Sequence, residues 1–366
     1  MAEVLGVGMT HYPGLRHPDA HMANILRQLL ERPAAASLRD PASWPAAMRE
    51  EWGADEGLAA AARHRRRQVD ALRRIRAEID RFRPDLVLIW GDDQAENFQE
   101  DVVPTFCTLL YDEIVCRPFA HGSAITRGRA LAGAIDNVWN EPVDRAFAFR
   151  CHREAGEFLT EGLLEAGFDV AYAYRPLHFE ELTHAFTNTL LYLDYDRKGF
   201  DVPVLPFHVN CYGRDLFRRR GRFGRDAEER AVPGGPSPRR CFDLGRATRS
   251  VLERSPWRAV VIGSSSWSHA FLRRDGVFLH PDLEADRRLY DELRRGEHAR
   301  WRELTSDAIE RAGQHEFRNW ICLAGAMHDR RAEIVDYVET WIFNSSKCFA
   351  LFRGAGPGRA QEAACA

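Results

Sequence analysis

The chain has 366 residues, of which 45% are hydrophobic and 29% are charged, and its formal net charge is −3. This composition is typical of a globular protein with a substantial core, and the charge gives no reason to expect nucleic acid or an anionic membrane as a partner. The eight cysteines form no CxxC pair, which argues against a zinc ribbon or a disulfide framework and favours reduced thiols in the cytoplasm.

The N-terminal residues predict a strand and then a long helix, without a targeting segment. We expect no signal peptide, because Glu3 interrupts a short apolar segment, and no membrane helix, because no apolar run approaches the roughly 18 residues required. Residues 4–9 form an apolar strand that ends in a Thr-His-Tyr-Pro-Gly turn, which places His11 just beyond the strand. An irregular segment follows at 33–54, and apolar residues at helical spacing predict a helix at 56–82.

A second apolar run, at 86–90, ends at a glycine and is followed by a cluster of oxygen-bearing side chains. The cluster consists of Asp92, Asp93, Gln94, Glu96 and Asn97. A continuous apolar run bounded by a turn predicts a buried parallel strand, and open α/β sheets bind ligands beyond the carboxyl ends of such strands. The cluster is therefore a candidate active-site loop. The alternative is a solvated loop whose aspartates form turns and cap a helix.

The middle of the chain alternates between predicted strands and a helix. We predict strands at 105–116, 169–174 and 202–209 and a helix at 154–166. The strand at 202–209 contains two prolines, so we place it near a sheet edge or a bulge. His184 falls in a polar loop before that strand.

Residues 212–240 depart from this alternation, because they are rich in arginine and contain the sequence PGGPSP. Such a composition cannot form a core and predicts a flexible basic insertion. A solvated loop is the simplest interpretation, and contact with a phosphate or an acidic partner is the alternative.

The C-terminal third returns to alternating elements. We predict a helix at 242–252, a strand at 258–262, two or three helices between 283 and 327, and a strand at 335–343. The whole pattern predicts one α/β domain at 1–353, with a central, mostly parallel or mixed sheet flanked by helices, and a disordered tail at 354–366.

Candidate chemical groups lie where these predicted elements end. They are His11, the pair Asp93 and Gln94, His184 and His269. Several such groups fit a metal or acid–base site better than isolated structural histidines do, although no HExxH motif places two ligands on one element. A serine hydrolase is disfavoured, because there is no GxSxG elbow and the adjacent Ser268 and His269 would point in opposite directions on a strand.

These residues lie in segments that resemble the class III extradiol ring-cleavage dioxygenases, the family of the catalytic β subunit of protocatechuate 4,5-dioxygenase. In chain order, the segments are GMTHYPGL, PDLVLIWGDDQAENF with the following VVPTF, LTHAFTNTLLYL, VVIGSSSWSHAFL and AGQHEFRNWICLAGAM. The resemblance spans most of the chain outside 33–54 and 212–240. It implies the α/β fold of that family's catalytic subunit.

The resemblance also implies a role for each candidate residue. His11 and Glu316 would be metal ligands, His269 would be the catalytic acid–base, and His184 would be a catalytic residue that contacts the substrate. The residues that would bind the substrate or support the ligands are Asp92, Asp93 and Ser268.

This sequence differs from the family pattern at the family's second histidine ligand, where it has Gln94. A glutamine carbonyl is neutral but is a weaker and harder donor than imidazole, so we expect Gln94, with the two other ligands, to hold the metal less tightly. Alternatively, Asp92 or Asp93 completes the site, which adds negative charge and favours Mn²⁺ or Mg²⁺. Two further alternatives are that His208 replaces the lost ligand and that the metal itself is lost.

The function implied by the resemblance is a non-haem Fe(II)-dependent opening of a catecholic or aminophenolic ring with O₂. Two alternatives stay open: a same-fold enzyme with hydrolytic or lyase chemistry at an altered metal site, and a non-catalytic paralogue. The expected partners are a small aromatic substrate and O₂. We expect a cytoplasmic homo-oligomer without nucleic acid or membrane partners, and a small partner subunit is left open.

Overall fold

The computed structural model describes residues 2–120, 137–213, 233–274 and 278–354, and within them the sheet is mixed. The strands are β1 (Val4–Met9), β2 (Leu86–Gly91), β3 (Phe106–Leu109), β4 (Glu113–Cys116), β5 (Phe147–Arg150), β6 (Ala171–Ala173), β7 (Val204–Val209), β8 (Ala259–Ser264), β9 (Glu333–Val338) and β10 (Lys347–Phe352). Eight of them form one sheet in the order β6-β3-β7-β2-β8-β1-β10-β9, and β4 pairs with β5.

The centre of the sheet consists of four adjacent parallel strands, β7, β2, β8 and β1. Every residue of these strands is buried. Burial on both faces explains why β2 and β8 are near-continuous apolar runs rather than alternating ones. The antiparallel strands β10 and β9 extend one side, and β3 pairs antiparallel with β7 on the other. The predicted α/β class with a mixed central sheet is confirmed.

Helices accompany this sheet along the chain. They are α1 (Asn24–Leu30), α2 (Ala46–Trp52), α3 (Leu58–Phe82), α4 (Arg153–Glu165), α5 (His184–Leu193), α6 (Pro238–Arg254), α7 (Leu283–Arg295), α8 (Ser306–Arg311) and α9 (Phe317–Ala326). The longest, α3, buries an apolar stripe and ends where Arg83 adopts a left-handed conformation before Pro84. Among the described residues, no helix is both long and apolar enough to span a bilayer.

The prediction of a single strand at 105–116 is wrong in one respect, because this segment forms two strands that belong to different sheets. All four residues of β3 are buried, whereas β4 alternates between exposed and buried positions. Alternation is the pattern of a strand with one solvated face, so β4 leaves the buried sheet and pairs with β5.

The placement of the strand at 202–209 near an edge is also wrong. β7 lies between β2 and β3. Its pairing with β3 runs from Val209 to Phe207 and stops one residue before Pro206. Strand β3 therefore needs no hydrogen bond from the N–H group that this proline lacks. This is why a proline is tolerated in an interior strand.

Three further segments differ from the predictions. His184 is not in a loop but is the first residue of α5. The irregular segment at 33–54 contains α2. The late strand ends at Val338, and the sequence analysis missed β10, because this strand opens with a charged residue, Lys347, that is fully buried.

The prediction of a flexible insertion at 212–240 is wrong at both of its ends. Tyr212 is buried, and α6 begins at Pro238, capped by the Ser237 hydroxyl. Residues 214–232 and the tail from 355 lie outside the described residues. The boundaries of the single domain stay a prediction.

Helices α6 and α9 approach each other closely at two glycines. A Cβ atom on Gly245 would lie 1.9 Å from the carbonyl oxygen of Cys322, and one on Gly325 would lie 1.9 Å from that of Phe242. Real Cβ atoms cannot approach backbone oxygens so closely, so the pair of glycines sets the distance between the helices.

We expect Gly245→Ala to destabilise the protein, although alanine favours a helix by roughly 1 kcal/mol over glycine. The added methyl group must push α9 away, and overpacking of this kind costs about 1–3 kcal/mol. Chemical denaturation measures the free energy of unfolding. Ser250→Ala, at an exposed position of the same helix, is the control, with a change within about 0.5 kcal/mol. Equal stability of Gly245→Ala and the wild type would contradict this packing.

Candidate active site

The candidate residues converge at one edge of the sheet, beyond the carboxyl ends of the four central parallel strands. His11 follows β1, Asp92 and Gln94 follow β2, and the run that ends in His269 follows β8. The strand ends are level, because Met9 pairs with Ser264 and Trp90 pairs with Gly263. Two helices complete the site: His184 is the first residue of α5, and Glu316 lies immediately before α9.

Two of the histidines are held in one orientation by backbone carbonyl groups. His11 Nδ1 lies 3.1 Å from the Ser264 carbonyl oxygen, and His269 Nδ1 lies 2.9 Å from that of Trp267. A carbonyl can only accept, so both Nδ1 atoms carry the proton, and a neutral ring then has its lone pair on Nε2. Both Nε2 atoms face the Glu316 carboxylate. Burial lowers the pKa of His269, which favours the neutral ring.

Glu316 is the carboxylate on which the site converges. Its Oε2 atom lies 3.3 Å from His11 Nε2 and 3.5 Å from His269 Nε2, and within the described part of the chain it accepts no hydrogen bond. Burial would raise the pKa of Glu316, but His269 and His11, with the Tyr212 hydroxyl, hold it below its usual range. Lone pairs of an imidazole and a carboxylate face each other favourably only with a cation or an additional proton between them.

Asp92 is the second carboxylate beside His11. Its Oδ1 atom lies 3.7 Å from His11 Nε2 and accepts a hydrogen bond from Asn319, while its buried Oδ2 atom has no partner among the residues that the structure describes. Burial and the neighbouring Glu316 raise the pKa of Asp92 to about 7. Side-chain atoms of Asp92, His11 and His184 all lie within 4.8 Å of one another, close enough to share a metal ion.

Gln94 lies among the same groups. Its Nε2 atom is 2.6 Å from the Tyr212 hydroxyl, 3.3 Å from Glu316 Oε1 and 3.4 Å from His184 Nε2. Its Oε1 atom is buried without a partner. Because the Gln94 amide donates to the Tyr212 and Glu316 oxygens, the carbonyl oxygen is the atom that Gln94 can offer to a cation.

Glu96 orients His184. Its carboxylate accepts from His184 Nδ1 at 2.8 Å and from the His184 backbone N–H at 3.1 Å. Burial alone would lower the pKa of His184, but the charge and hydrogen bond of Glu96 raise it to about 9. His184 is therefore a proton donor at neutral pH, whereas His269 is an acceptor. The sequence analysis noted Glu96 only as one member of the acidic loop.

Three predicted residues do not enter the cleft. The Asp93 carboxylate accepts from the backbone N–H groups of residues 96, 97 and 98 and shapes the loop after β2. The Ser268 hydroxyl bonds to the Ala312 carbonyl and the Asp282 N–H. His208 packs on Phe98, and burial lowers its pKa to about 3. The first two residues support the site loops, and His208 lies outside the ligand cluster.

Tyr212 is a site residue that the sequence analysis missed. It is buried, and its hydroxyl donates to Glu316 Oε1. Burial and the Glu316 charge raise the pKa of Tyr212 well above its usual range. One signal was available: β7 is a buried strand like β2, so the residues after it belong to the same sheet edge.

These groups line one cleft at the edge of the sheet. Its lining residues are His11, Tyr12, Pro13, Gln94, His184, Ser266, His269, Phe271, Glu316 and Asn344. Aromatic and proline side chains form one part and titratable groups the other. The cleft therefore combines apolar surface with titratable groups, as binding sites for small molecules do.

Comparison with known proteins relates the chain to ring-opening dioxygenases. Residues 230–349 match the family model described as the catalytic LigB subunit of aromatic ring-opening dioxygenase, a segment that includes His269 and Glu316. Of the curated relatives, 2,3-dihydroxyphenylpropionate/2,3-dihydroxicinnamic acid 1,2-dioxygenase from Paraburkholderia phymatum is 29% identical over 288 residues, 71% of this chain and 81% of that protein. The Pseudomonas putida enzyme 2 of that name is 29% identical over 203 residues, 55% of this chain.

The match spans only about half of the Pseudomonas putida relative, 48% of its length. The Comamonas testosteroni enzyme of the same printed name is 25% identical over 246 residues, 66% of this chain and 60% of that protein. A solved structure, titled uncharacterized protein JW3007 from Escherichia coli K12, aligns with a TM-score of 0.43 and 8% identity over 78% of this chain and 91% of that chain.

We expect Glu96→Gln to lower the pKa of His184 in protein freed of divalent cations by a chelator. The neutral amide no longer favours the imidazolium, so burial dominates, and the pKa should fall by about 1 to 3 pH units. NMR titration of the histidine ring nitrogens measures it. Glu100→Gln, on the exposed part of the same loop, is the control and should leave the value near 9. An unchanged pKa in Glu96→Gln would contradict the assigned pair.

Proposed function

We propose that this chain, a member of the class III extradiol dioxygenase family, opens a catecholic or aminophenolic ring with O₂ at the cleft beside Glu316. The proposal rests on one observation: three oriented imidazoles lie beside two carboxylates at one edge of the sheet. The imidazoles belong to His11, His184 and His269, and the carboxylates belong to Asp92 and Glu316. His11 and His269 direct Nε2 at Glu316, and Asp92 stands beside His11.

The donor atoms suit a divalent cation. Asp92, Gln94 and Glu316 each have one buried side-chain oxygen without a hydrogen-bond partner among the described residues. With His11 Nε2, they form a set of one nitrogen and three oxygens, and ionised Asp92 and Glu316 would balance a charge of +2. We therefore propose His11, Gln94 and Glu316 as ligands, with Asp92 as a fourth. Fe(II) is the proposed metal, and the oxygen-rich set also suits Mn²⁺.

The cation, when bound, would supply the Lewis acidity and the redox capacity that couple a ring diol to O₂. The protein supplies the proton transfers. His269, neutral and held at Nδ1 by the Trp267 carbonyl, would take a proton on Nε2 from a substrate hydroxyl and return it later. His184, protonated beside Glu96, would donate a hydrogen bond to a substrate oxygen. Two imidazoles whose environments move their pKa values apart can serve as base and acid in one cleft.

The cleft also suggests which part of a substrate is recognised. The curated relatives are named for dihydroxylated phenyl acids, and we carry over only the ring with two adjacent heteroatoms. Tyr12, Pro13 and Phe271 offer apolar surface for such a ring, and none of the described lining residues is lysine or arginine. We propose that the ring heteroatoms, rather than a charged substituent, determine binding. The expectations of a homo-oligomer and of a cytoplasmic location rest on the sequence alone.

A second candidate function is hydrolytic or lyase chemistry on a related substrate. It is favoured by Gln94 at the position of the family's second histidine and by Asp92 within reach of His11. An oxygen-rich donor set also suits a hard, redox-inactive cation. The two candidates differ in whether O₂ is consumed.

We expect His269→Ala to reduce turnover by about 10²–10⁴-fold, because general acid–base catalysis contributes this much, while the metal content stays largely intact. Protein purified without oxygen is analysed for metal, and oxygen uptake is measured on a panel of catechols and aminophenols. His178→Ala is the control, because His178 pairs with Asp101 on the surface. Absence of metal and of oxygen uptake after Fe(II) reconstitution would refute the proposed function. Loss of metal in His269→Ala would refute the acid–base assignment.

Gln94→His separates the two candidate functions. If the protein opens rings at a weakened iron site, an imidazole should increase Fe(II) retention, by about 10-fold or more, with oxygen uptake preserved. Fe(II) content after dialysis and oxygen uptake are the two measurements. Gln99→His, at an exposed position of the same loop, is the control. If the variant instead loses all native activity, the site is built for chemistry other than ring opening.

A further inference from the structure

The two oxygens of the Glu316 carboxylate have different surroundings. Oε2 faces His11 and His269 and accepts no hydrogen bond from any described residue. Oε1 accepts from the Tyr212 hydroxyl and from the Gln94 amide at 3.3 Å. One oxygen is therefore saturated by protein donors, and the other is left for whatever lies between the imidazoles.

Tyr212 and Gln94 also contact each other, so the three side chains close a ring of hydrogen bonds. The Gln94 amide donates to the Tyr212 hydroxyl at 2.6 Å, and that hydroxyl donates to Glu316 Oε1. A phenol can accept one hydrogen bond while donating another. Each member of this triad therefore fixes the other two, and we call it the Glu316 clamp.

The turn that carries Tyr212 is rigidly supported. The side chain of Asn210 accepts from the Gly213 N–H at 2.8 Å, and Gly213 adopts a left-handed conformation. A Cβ atom on Gly235 would lie 2.3 Å from the Asn210 carbonyl oxygen, so the glycine-proline segment passes directly against this turn.

Arg318 ties the same turn to α9. Its guanidinium donates to the carbonyl oxygens of Cys211 and Pro236, both at 2.9 Å, and it is fully buried. The carbonyl of Cys211 belongs to the residue before Tyr212, and Arg318 is two residues after Glu316. The Tyr212 phenol and the Glu316 carboxylate are therefore held in a fixed relative position. A side chain on a flexible insertion would not be held in this way.

We propose that Tyr212 is a positioning residue that, with Gln94, holds Glu316 as a one-oxygen ligand whose Oε2 atom faces the cation. This inference rests on the proposed cation site. A carboxylate without the Tyr212 hydrogen bond is free to rotate or to bind through both oxygens, which changes the number and geometry of the ligands. Tyr212 then determines how tightly and in what geometry the cation is held, without contacting the substrate.

The test is Tyr212→Phe, which removes the hydroxyl and keeps the ring. Metal-free protein is titrated with Co²⁺, by calorimetry for the Kd and by visible absorption for the coordination geometry. We expect the Kd to rise about 10-fold or more, as for other groups that orient ligands, together with a changed ligand-field spectrum. Tyr195→Phe is the matched control, because the Tyr195 hydroxyl accepts from Arg65 and not from the site. It should retain the wild-type Kd and spectrum.

A second variant covers the case in which Tyr212→Phe does not fold. Gly235→Ala keeps all three clamp side chains but displaces the turn that carries Tyr212, and it should weaken Co²⁺ binding in the same direction. Thermal unfolding of each metal-free variant reports whether it is folded. If wild-type protein binds Co²⁺ and folded Tyr212→Phe or Gly235→Ala binds it with the same Kd and spectrum, the clamp is refuted and the proposed function is not. If wild-type protein binds no divalent cation, both the proposed cation site and the clamp are refuted.

Discussion

The level ends of four parallel strands are the constraint on which the site depends. Residues far apart in sequence meet only because β7, β2, β8 and β1 are adjacent and finish at one edge. Parallel strands of this kind are buried on both faces, so most polar side chains come after the strands end. The register of the strands thus determines both where the sequence changes from apolar to polar residues and where the site lies.

The end of β8 contributes more than a position for His269. The Ser264 carbonyl fixes the tautomer of His11, the Asn319 amide joins this carbonyl to Asp92, and the Trp267 carbonyl fixes His269. Backbone carbonyls are suited to this task, because they accept at any pH and cannot rotate away as a side chain can. The protonation pattern of the cleft is therefore a property of the fold as much as of the titratable residues themselves.

Much of this arrangement was predictable from the sequence, and the failures have physical causes. Strands β1, β2 and β8 and the helix α3 were predicted because their apolar pattern is continuous or helical, and so were the residues at their ends. Residues that depend on long-range contacts were not. Tyr212 follows a strand but opens an arginine-rich segment whose composition indicates a loop, and β10 begins with a buried lysine that donates to the Phe343 carbonyl. Composition describes a segment on average, whereas burial is determined by the partners of single residues.

The amide of Gln94 differs from an imidazole in more than the strength with which it could hold a cation. A histidine ligand uses one nitrogen for the metal, and its other nitrogen points away from it. A primary amide has its acceptor and its donors on one carbon, so Gln94 can offer Oε1 to a cation while Nε2 donates to Tyr212 and Glu316. Gln94 is thereby linked to its neighbours in a way that an imidazole would not provide. Gln94 and Tyr212 are therefore best understood together, as two side chains that donate to the same oxygen of Glu316.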